Sequence, residues 1–231
     1  MWSEKYRPQI ISDMVGNEEP RAAIMEWFAK WKKGTKPLLI VGPPGIGKTT
    51  IGYLLAKQFG YDLIGLNASD VRSKSQINEI LVPVLGNVTV LGIPMIFIDE
   101  VDGIHGRGDY GGAAALVDIL KKPNVPILLA ANFDDSDKMK SIKKVTTTIS
   151  FKKIPPRLLR VYLHNILKKE NTKLSPGSLI KVIDNSRGDI RSMINLTQAL
   201  LTGFNPSTET SFESINVEDG INAFFKANSI E

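Results

Sequence analysis

The chain has 231 residues, room for two domains at ~100–200 residues each. Its 42% hydrophobic and 23% charged content suits a chain that buries an ordinary core. With no cysteine, disulfides and thiolate metal sites are excluded, and the two histidines, His105 and His164, stand in no metal-ligand pattern and read as surface or capping residues. The 29 basic and 24 acidic residues leave a net charge of +5, which admits a polyanionic partner without requiring one.

The opening Met1–Pro8 has no apolar h-region, and no run reaches the ~18 apolar residues of a membrane span. The expectation is an intracellular protein with no membrane partner. Residues 17–33 carry Ile24, Trp27, Phe28 and Trp31 at helical spacing, with Asn17 as the expected N-cap and Gly34 as the stop. Short apolar runs follow at Pro37–Val41, Leu63–Leu66, Pro94–Ile98 and Pro126–Ala131, and unbroken runs of this length suit strands buried on both faces. Helical stretches at 47–59, 74–85 and 112–122 separate them, and the β-branched run Thr146–Phe151 reads as a fifth strand. This alternation predicts an α/β fold with a mainly parallel sheet flanked by helices.

The paired prolines Pro155 and Pro156 punctuate the chain. Beyond them, 157–170, 176–185, 189–202 and 214–227 are helical in pattern, and Asn205–Ser211 reads as a loop. The expected organisation is an α/β domain over 1–153 followed by a small all-helical domain over 154–231.

The run Gly42-Pro43-Pro44-Gly45-Ile46-Gly47-Lys48-Thr49, with Thr50 after it, matches the phosphate-binding pattern G-x-x-x-x-G-K-[ST] at every fixed position. It sits between an apolar strand and a helix, as the chemistry requires. Glycines let backbone N–H groups curl around an anion, the helix beginning near Gly47 directs its positive end at the phosphates, Lys48 reaches the β- and γ-phosphates, and Thr49 offers a hydroxyl to Mg²⁺. The expected ligands are therefore ATP or ADP with Mg²⁺.

The strand Pro94–Ile98 ends in Asp99 and Glu100, and α/β sheets place ligands at the carboxyl ends of their strands. Asp99 is the expected second Mg²⁺ residue and Glu100 the expected general base for water. Asn132, at the end of Ile127–Ala131, is placed to orient that water; a turn asparagine is the structural alternative.

Phosphate loop, strand-end Asp-Glu, strand-end Asn and a helical lid together resemble the AAA+ ATPases. The lid of that family carries a basic residue facing the γ-phosphate, and Gly188-Asp189-Ile190-Arg191 resembles that element, which implies the role for Arg191. Within the AAA+ proteins the opening Trp2–Pro8 and Val15-Gly16-Asn17 resemble the adenine side of archaeal-like replication factor C, implying that Tyr6, Arg7, Pro8, Val15 and Gly16 line the base. Asn67–Lys74, Asp99-Glu100-Val101-Asp102-Gly103 and Asp109-Tyr110-Gly111-Gly112 resemble the large subunit of that clamp loader, with Tyr110 where arginine is usual. The resemblance covers roughly residues 2–203 and weakens beyond; a collar domain after the lid has no counterpart in these residues.

It implies an ATPase that loads the sliding clamp (PCNA) onto primer–template DNA, in company with small subunits. Those subunits carry Ser-Arg-Cys between the sensor asparagine and the fifth strand, and its arginine completes a neighbour's ATP site. Here Phe133–Thr148 contains Lys138, Lys140, Lys143 and Lys144 but no arginine, so this chain is expected to receive such a finger and donate none, and to hydrolyse ATP slowly alone. Expected phosphate contacts to DNA are Arg72, Lys74 and Arg107, and expected clamp contacts are Val88–Gly92 or the apolar–aromatic run Ile221–Phe225. The alternative reading is another AAA+ DNA-replication or recombination ATPase, an origin initiator or a branch-migration helicase.

Overall fold

The computed structural model of the chain describes residues 1–68, 74–86, 93–105, 111–132 and 137–202. Met1–Leu196 forms one compact unit, and Thr197 onward falls in a second. No described helix is long and apolar enough to cross a membrane.

Five strands form one parallel sheet: β1 (Leu38–Val41), β2 (Asp62–Asn67), β3 (Pro94–Asp99), β4 (Ile127–Ala131) and β5 (Thr147–Ser150), in the spatial order β2-β3-β4-β1-β5. The apolar runs that read as doubly buried strands are so: every residue of β1 and β4 is buried, and β3 is buried up to Ile98. Full burial of one such side chain stabilises the fold by ~1.5–3 kcal/mol. β2 and β5 stand at the two edges and are more exposed, consistent with their mixed sequences.

The register sets where the loops of the sheet emerge. Val41 lies opposite Ala131 and Ser150, and Asn67 opposite Asp99, so the carboxyl ends of the strands form one edge. The loop after β1, the carboxylates after β3 and the asparagine after β4 all emerge there.

Helices cover both faces. On one side α4 (Lys74–Gly86), α5 (Gly112–Leu120) and α6 (Asp137–Val145) bury Ile77, Leu81, Leu116, Leu120 and Ile142 in a cluster with Leu39, Ile98 and Leu129 of the sheet. α3 (Lys48–Phe59) approaches the sheet through Gly52, where a Cβ would sit 2.9 Å from the Phe97 ring, so only glycine allows this spacing. Ahead of the sheet lie a short α1 (Trp2–Lys5), a 3-10 turn at Ile11–Asp13, and α2 (Glu18–Ala29). A second 3-10 turn, Val101–His105, follows β3. After β5 come α7 (Pro156–Lys169), α8 (Pro176–Ser186) and α9 (Ile190–Leu201).

Local expectations differ at α2. It ends at Ala29, before Gly34, which lies at φ +86° in the turn beyond. Asn17 flanks α2 but makes no side-chain cap; its backbone is left-handed, and its side-chain amide exchanges two hydrogen bonds with the Lys152 backbone, at 2.8 and 3.0 Å. An amide that finds a paired donor and acceptor on a neighbouring strand end makes two bonds there instead of one as a cap. Ile24 and Phe28 are buried, while Trp27 and Trp31 are half-buried. The sequence pattern also passed over α1, both 3-10 turns and α6, each short or polar.

Candidate nucleotide site

The loop between β1 and α3 turns on two glycines with positive φ, Gly45 (+67°) and Gly47 (+95°), the latter preceding the first helical residue, Lys48. A Cβ on Gly45 would collide with the Asp189 carboxylate, and one on Gly47 would meet the Met14 methyl at 2.7 Å. Pro44 to Thr50 line one cavity at the carboxyl edge of the sheet. Gly42 and Pro43 do not line it; their carbonyls face the Lys48 side chain.

Lys48 is buried, and its ammonium donates three hydrogen bonds: to the Gly42 and Pro43 carbonyls at 2.7 Å each and to Asn132 Oδ1 at 3.0 Å. Burial pushes its pKa below the ordinary lysine value, opposed by the charges of Asp99, Asp102 and Asp189 and reinforced by Arg191. Thr49 Oγ1 donates to Asp99 Oδ2 at 2.6 Å, and the other oxygen of Asp99 accepts from the Glu100 backbone N–H at 3.0 Å. Glu100 has a left-handed backbone, φ +53°, unusual outside glycine. Its carboxylate accepts from Asn67 Nδ2 at 3.2 Å, across the β2–β3 pair.

Asn132 is held from behind. Its backbone N–H and its Nδ2 both donate to Asp102, at 3.1 Å each, which leaves Oδ1 turned to Lys48. A chain of hydrogen bonds thus runs Asp102–Asn132–Lys48 through the wall of the cavity.

Arg191 also lines the cavity, on its exposed rim. It arrives there because the start of α9 is tied to the loop: the Ile190 N–H donates to the Gly45 carbonyl at 3.1 Å, and Asp189 caps α9 through the Ser192 N–H at 2.8 Å. Gly188, at φ +92°, packs its Cα against the Ile154 backbone, where a side chain would crowd it.

The same cavity is also lined by Tyr6, Arg7, Pro8 and Val15. Gly16 does not line it and stands against Ile154, with its carbonyl bound by buried Arg21 at 3.0 Å. Arg21 also donates to the Ile11 carbonyl at 2.6 Å, so one guanidinium closes both ends of the loop bearing Met14 and Val15. Tyr6 is fixed to α7. Its phenol and the Lys5 ammonium both donate to Glu170 Oε1 at 2.6 Å, and its carbonyl accepts from the Tyr162 hydroxyl at 2.9 Å. The bonds from Lys5 and then Tyr6 hold the Glu170 pKa below the usual carboxylate range, and burial followed by the Glu170 contact raises that of Tyr6.

Sequence reasoning missed Asn67, Asp102, Met14, Tyr162 and Glu170. Asn67 and Asp102 lie inside quoted stretches, and a side-chain carboxylate three residues after Asp99 was a usable signal; Tyr162 and Glu170 sit in an ordinary helical pattern and gave none. The expected DNA contacts Arg72 and Arg107, the Lys74 side chain, Tyr110, the clamp candidates Val88–Gly92 and Ile221–Phe225, the loop Asn205–Ser211 and the helix 214–227 lie outside the described residues, as do the side chains of His105 and Lys138. Among the described residues no group of three or more His, Cys, Asp or Glu could hold a metal ion.

A phosphate loop after β1, carboxylates after β3 and an asparagine after the strand between them define the class: residues 38–170 match the profile of the ATPase family associated with various cellular activities (AAA), and the chain belongs to that family. The sequence is similar over most of its length to archaeal replication factor C large subunits. It is 42% identical over 207 residues to that of Thermofilum pendens, covering 87% of this chain and 50% of the relative. It is 36% identical to that of Archaeoglobus fulgidus, covering 88% and 45%. The chain spans about half the length of the curated relatives it matches. Among solved structures, the Thermotoga maritima RuvB Holliday junction branch migration motor superposes with a TM-score of 0.62 at 16% identity, over 85% of this chain and 65% of that one, a likeness of fold.

Proposed function

We propose that the chain is the motor part of a clamp-loader subunit, which binds ATP with Mg²⁺ and couples its hydrolysis to placing a sliding clamp on primer–template DNA. In this reading residues 1–153 bind nucleotide and 154–231 act as the lid. The observation that carries it is the convergence of Lys48, Thr49, Asp99, Glu100, Asn132 and Arg191, from separate elements, on one cavity. Similarity to replication factor C large subunits supports the choice of clamp loading among AAA functions.

The residues fit the ligands. The Lys48 ammonium, satisfied by two loop carbonyls and an amide, exchanges these acceptors for phosphate oxygens. Thr49 and Asp99 would hold Mg²⁺, which supplies charge neutralisation at the phosphates. Tyr6, Arg7, Pro8 and Val15 form the base end, with Gly16 supporting them. Glu100 accepts the proton of the attacking water, whose oxygen bonds to the γ-phosphorus as the bond to the ADP oxygen breaks. Asn132 presents Oδ1 to position that water, and Arg191 offsets charge on the γ-phosphate.

The lack of arginine in Phe133–Thr148 supports a chain that takes its finger from a small subunit. Co-purification with a small subunit and clamp, followed by a DNA-stimulated ATPase assay, tests the whole reading. The chain alone should bind ATP and turn over slowly, and the finger-bearing partner should raise the rate by ~10³–10⁵. Fast turnover by the isolated chain, or no association with either partner, would sink it.

A further inference from the structure

Six basic residues and no acidic one lie between Lys152 and Lys169. The whole chain carries +5, so this short segment holds all of the excess and leaves the remainder one charge negative. A composition that reads as mildly basic overall is therefore locally very basic and elsewhere balanced.

The structure puts half of that charge, Arg157, Arg160 and Lys168, on one face of α7. Leu159, Leu163, Ile166 and Leu167 are buried on the inner side. Arg157, Arg160, His164 and Lys168 fall within a quarter-turn of one another on the outer side, and all four are exposed. None of the four meets a carboxylate or any other partner among the described residues. Lys152 and Lys153, also exposed, precede the helix. Lys169 leans instead over the Tyr6 ring, 5.9 Å from its centroid.

We infer that this outer face of α7 binds the phosphate backbone of nucleic acid. Its composition decides among polyanions. A protein-binding face would have apolar or aromatic anchors and few lysines at its centre, whereas Val161 is the one large apolar side chain exposed in this stripe. A membrane surface would call for an apolar face to insert, and the apolar face of α7 is spent on the core. Four side chains on one rigid helix, with both guanidinium and ammonium heads, suit a row of phosphates and carry no means of reading bases. The choice of nucleic acid as the polyanion rests on the DNA-handling function proposed above; the location of the face does not.

The test is DNA binding by the whole chain, measured against salt for a labelled primer–template duplex. Replacing Arg157, Arg160 and Lys168 together by Gln should weaken binding at least ~10-fold at about 0.1 M salt, and flatten the slope of log K against log salt by about 2–3. Replacing Lys32, Lys33 and Lys36, three exposed lysines before β1, removes the same charge from elsewhere and should leave the slope unchanged. An unchanged slope in the first variant, or equal losses in both, overturns the inference. So does unaltered DNA binding with lost retention of the clamp or small subunit, which would assign the face to an acidic protein. ATP binding measured in parallel separates the two proposals. A wild-type chain that binds no ATP removes the motor reading and leaves the α7 result standing; intact ATP binding with an unaffected slope removes only the α7 face.

Discussion

The ammonium of Lys48 donates to Asn132 Oδ1 at 3.0 Å, joining residues 84 positions apart in the chain. The same nitrogen binds the carbonyls of Gly42 and Pro43, so all three of its protons are engaged by the protein. In the proposed ATP complex this buried cation exchanges those partners for phosphate oxygens, and affinity should follow the cation.

Lys48→Ala should weaken nucleotide binding by ~10- to 150-fold, the range for hydrogen bonds to a charged group. The pH profile should show the cause. Burial lowers the Lys48 pKa beneath its ordinary 10.5, and a triphosphate needs the protonated form. Affinity should be flat below the folded-state pKa of Lys48 and fall as pH rises through it, earlier than for a surface lysine. Titration of a fluorescent ATP analogue against pH measures this, and Lys48→Arg should lose the alkaline step.

Asp102 does not itself line the cavity and holds Asn132, which does, by two hydrogen bonds of 3.1 Å. It is a positioning residue. Asp102→Ala frees the amide to rotate, and should cut kcat by ~10- to 100-fold while ATP affinity stays near wild type. A proportionate loss in both would mean that the loop itself had collapsed.

Glu100 gives one carboxylate oxygen to Asn67, at 3.2 Å. In the reaction proposed above, that bond holds the carboxylate away from the attacking water. Asn67→Ala should raise basal turnover by a few-fold, roughly one hydrogen bond's worth, and Glu100→Gln should suppress turnover in either background. Single-turnover hydrolysis with equal nucleotide loading is the measurement.

Glu170 receives both Lys5 and Tyr6 on one oxygen and so fastens Tyr6, part of the proposed base end, to the end of α7. Glu170→Ala should weaken ATP binding by ~5- to 20-fold and leave inorganic tripolyphosphate, which has no base, unaffected. The Glu170 pKa is depressed from 4.5 and that of Lys5 is raised from 10.5. The latch therefore persists from above 4.5 to 10.5, is lost in acid as pH falls through the lowered value, and is lost in alkali as pH rises through the raised one. The gap between wild type and variant should be constant from pH 6 to 9, a range inside those limits.

The sequence by itself determined everything that one strand and its following turn can encode. Gly42–Thr49 announces a phosphate cradle because the glycines, lysine and threonine act within a single loop, and Asp99-Glu100 and Asn132 are legible because each ends an apolar run. The five strands were readable for the same reason, burial on both faces leaving an unbroken apolar record. The order of the strands was decided by tertiary structure alone. Placing β4 between β1 and β3 sets Asn132 between Lys48 and Asp102, and pairing β2 with β3 sets Asn67 on Glu100. The grip of Glu170 on Lys5 and Tyr6 likewise depends on which helix faces pack inward. These are contacts between side chains far apart in sequence, and no local periodicity records them.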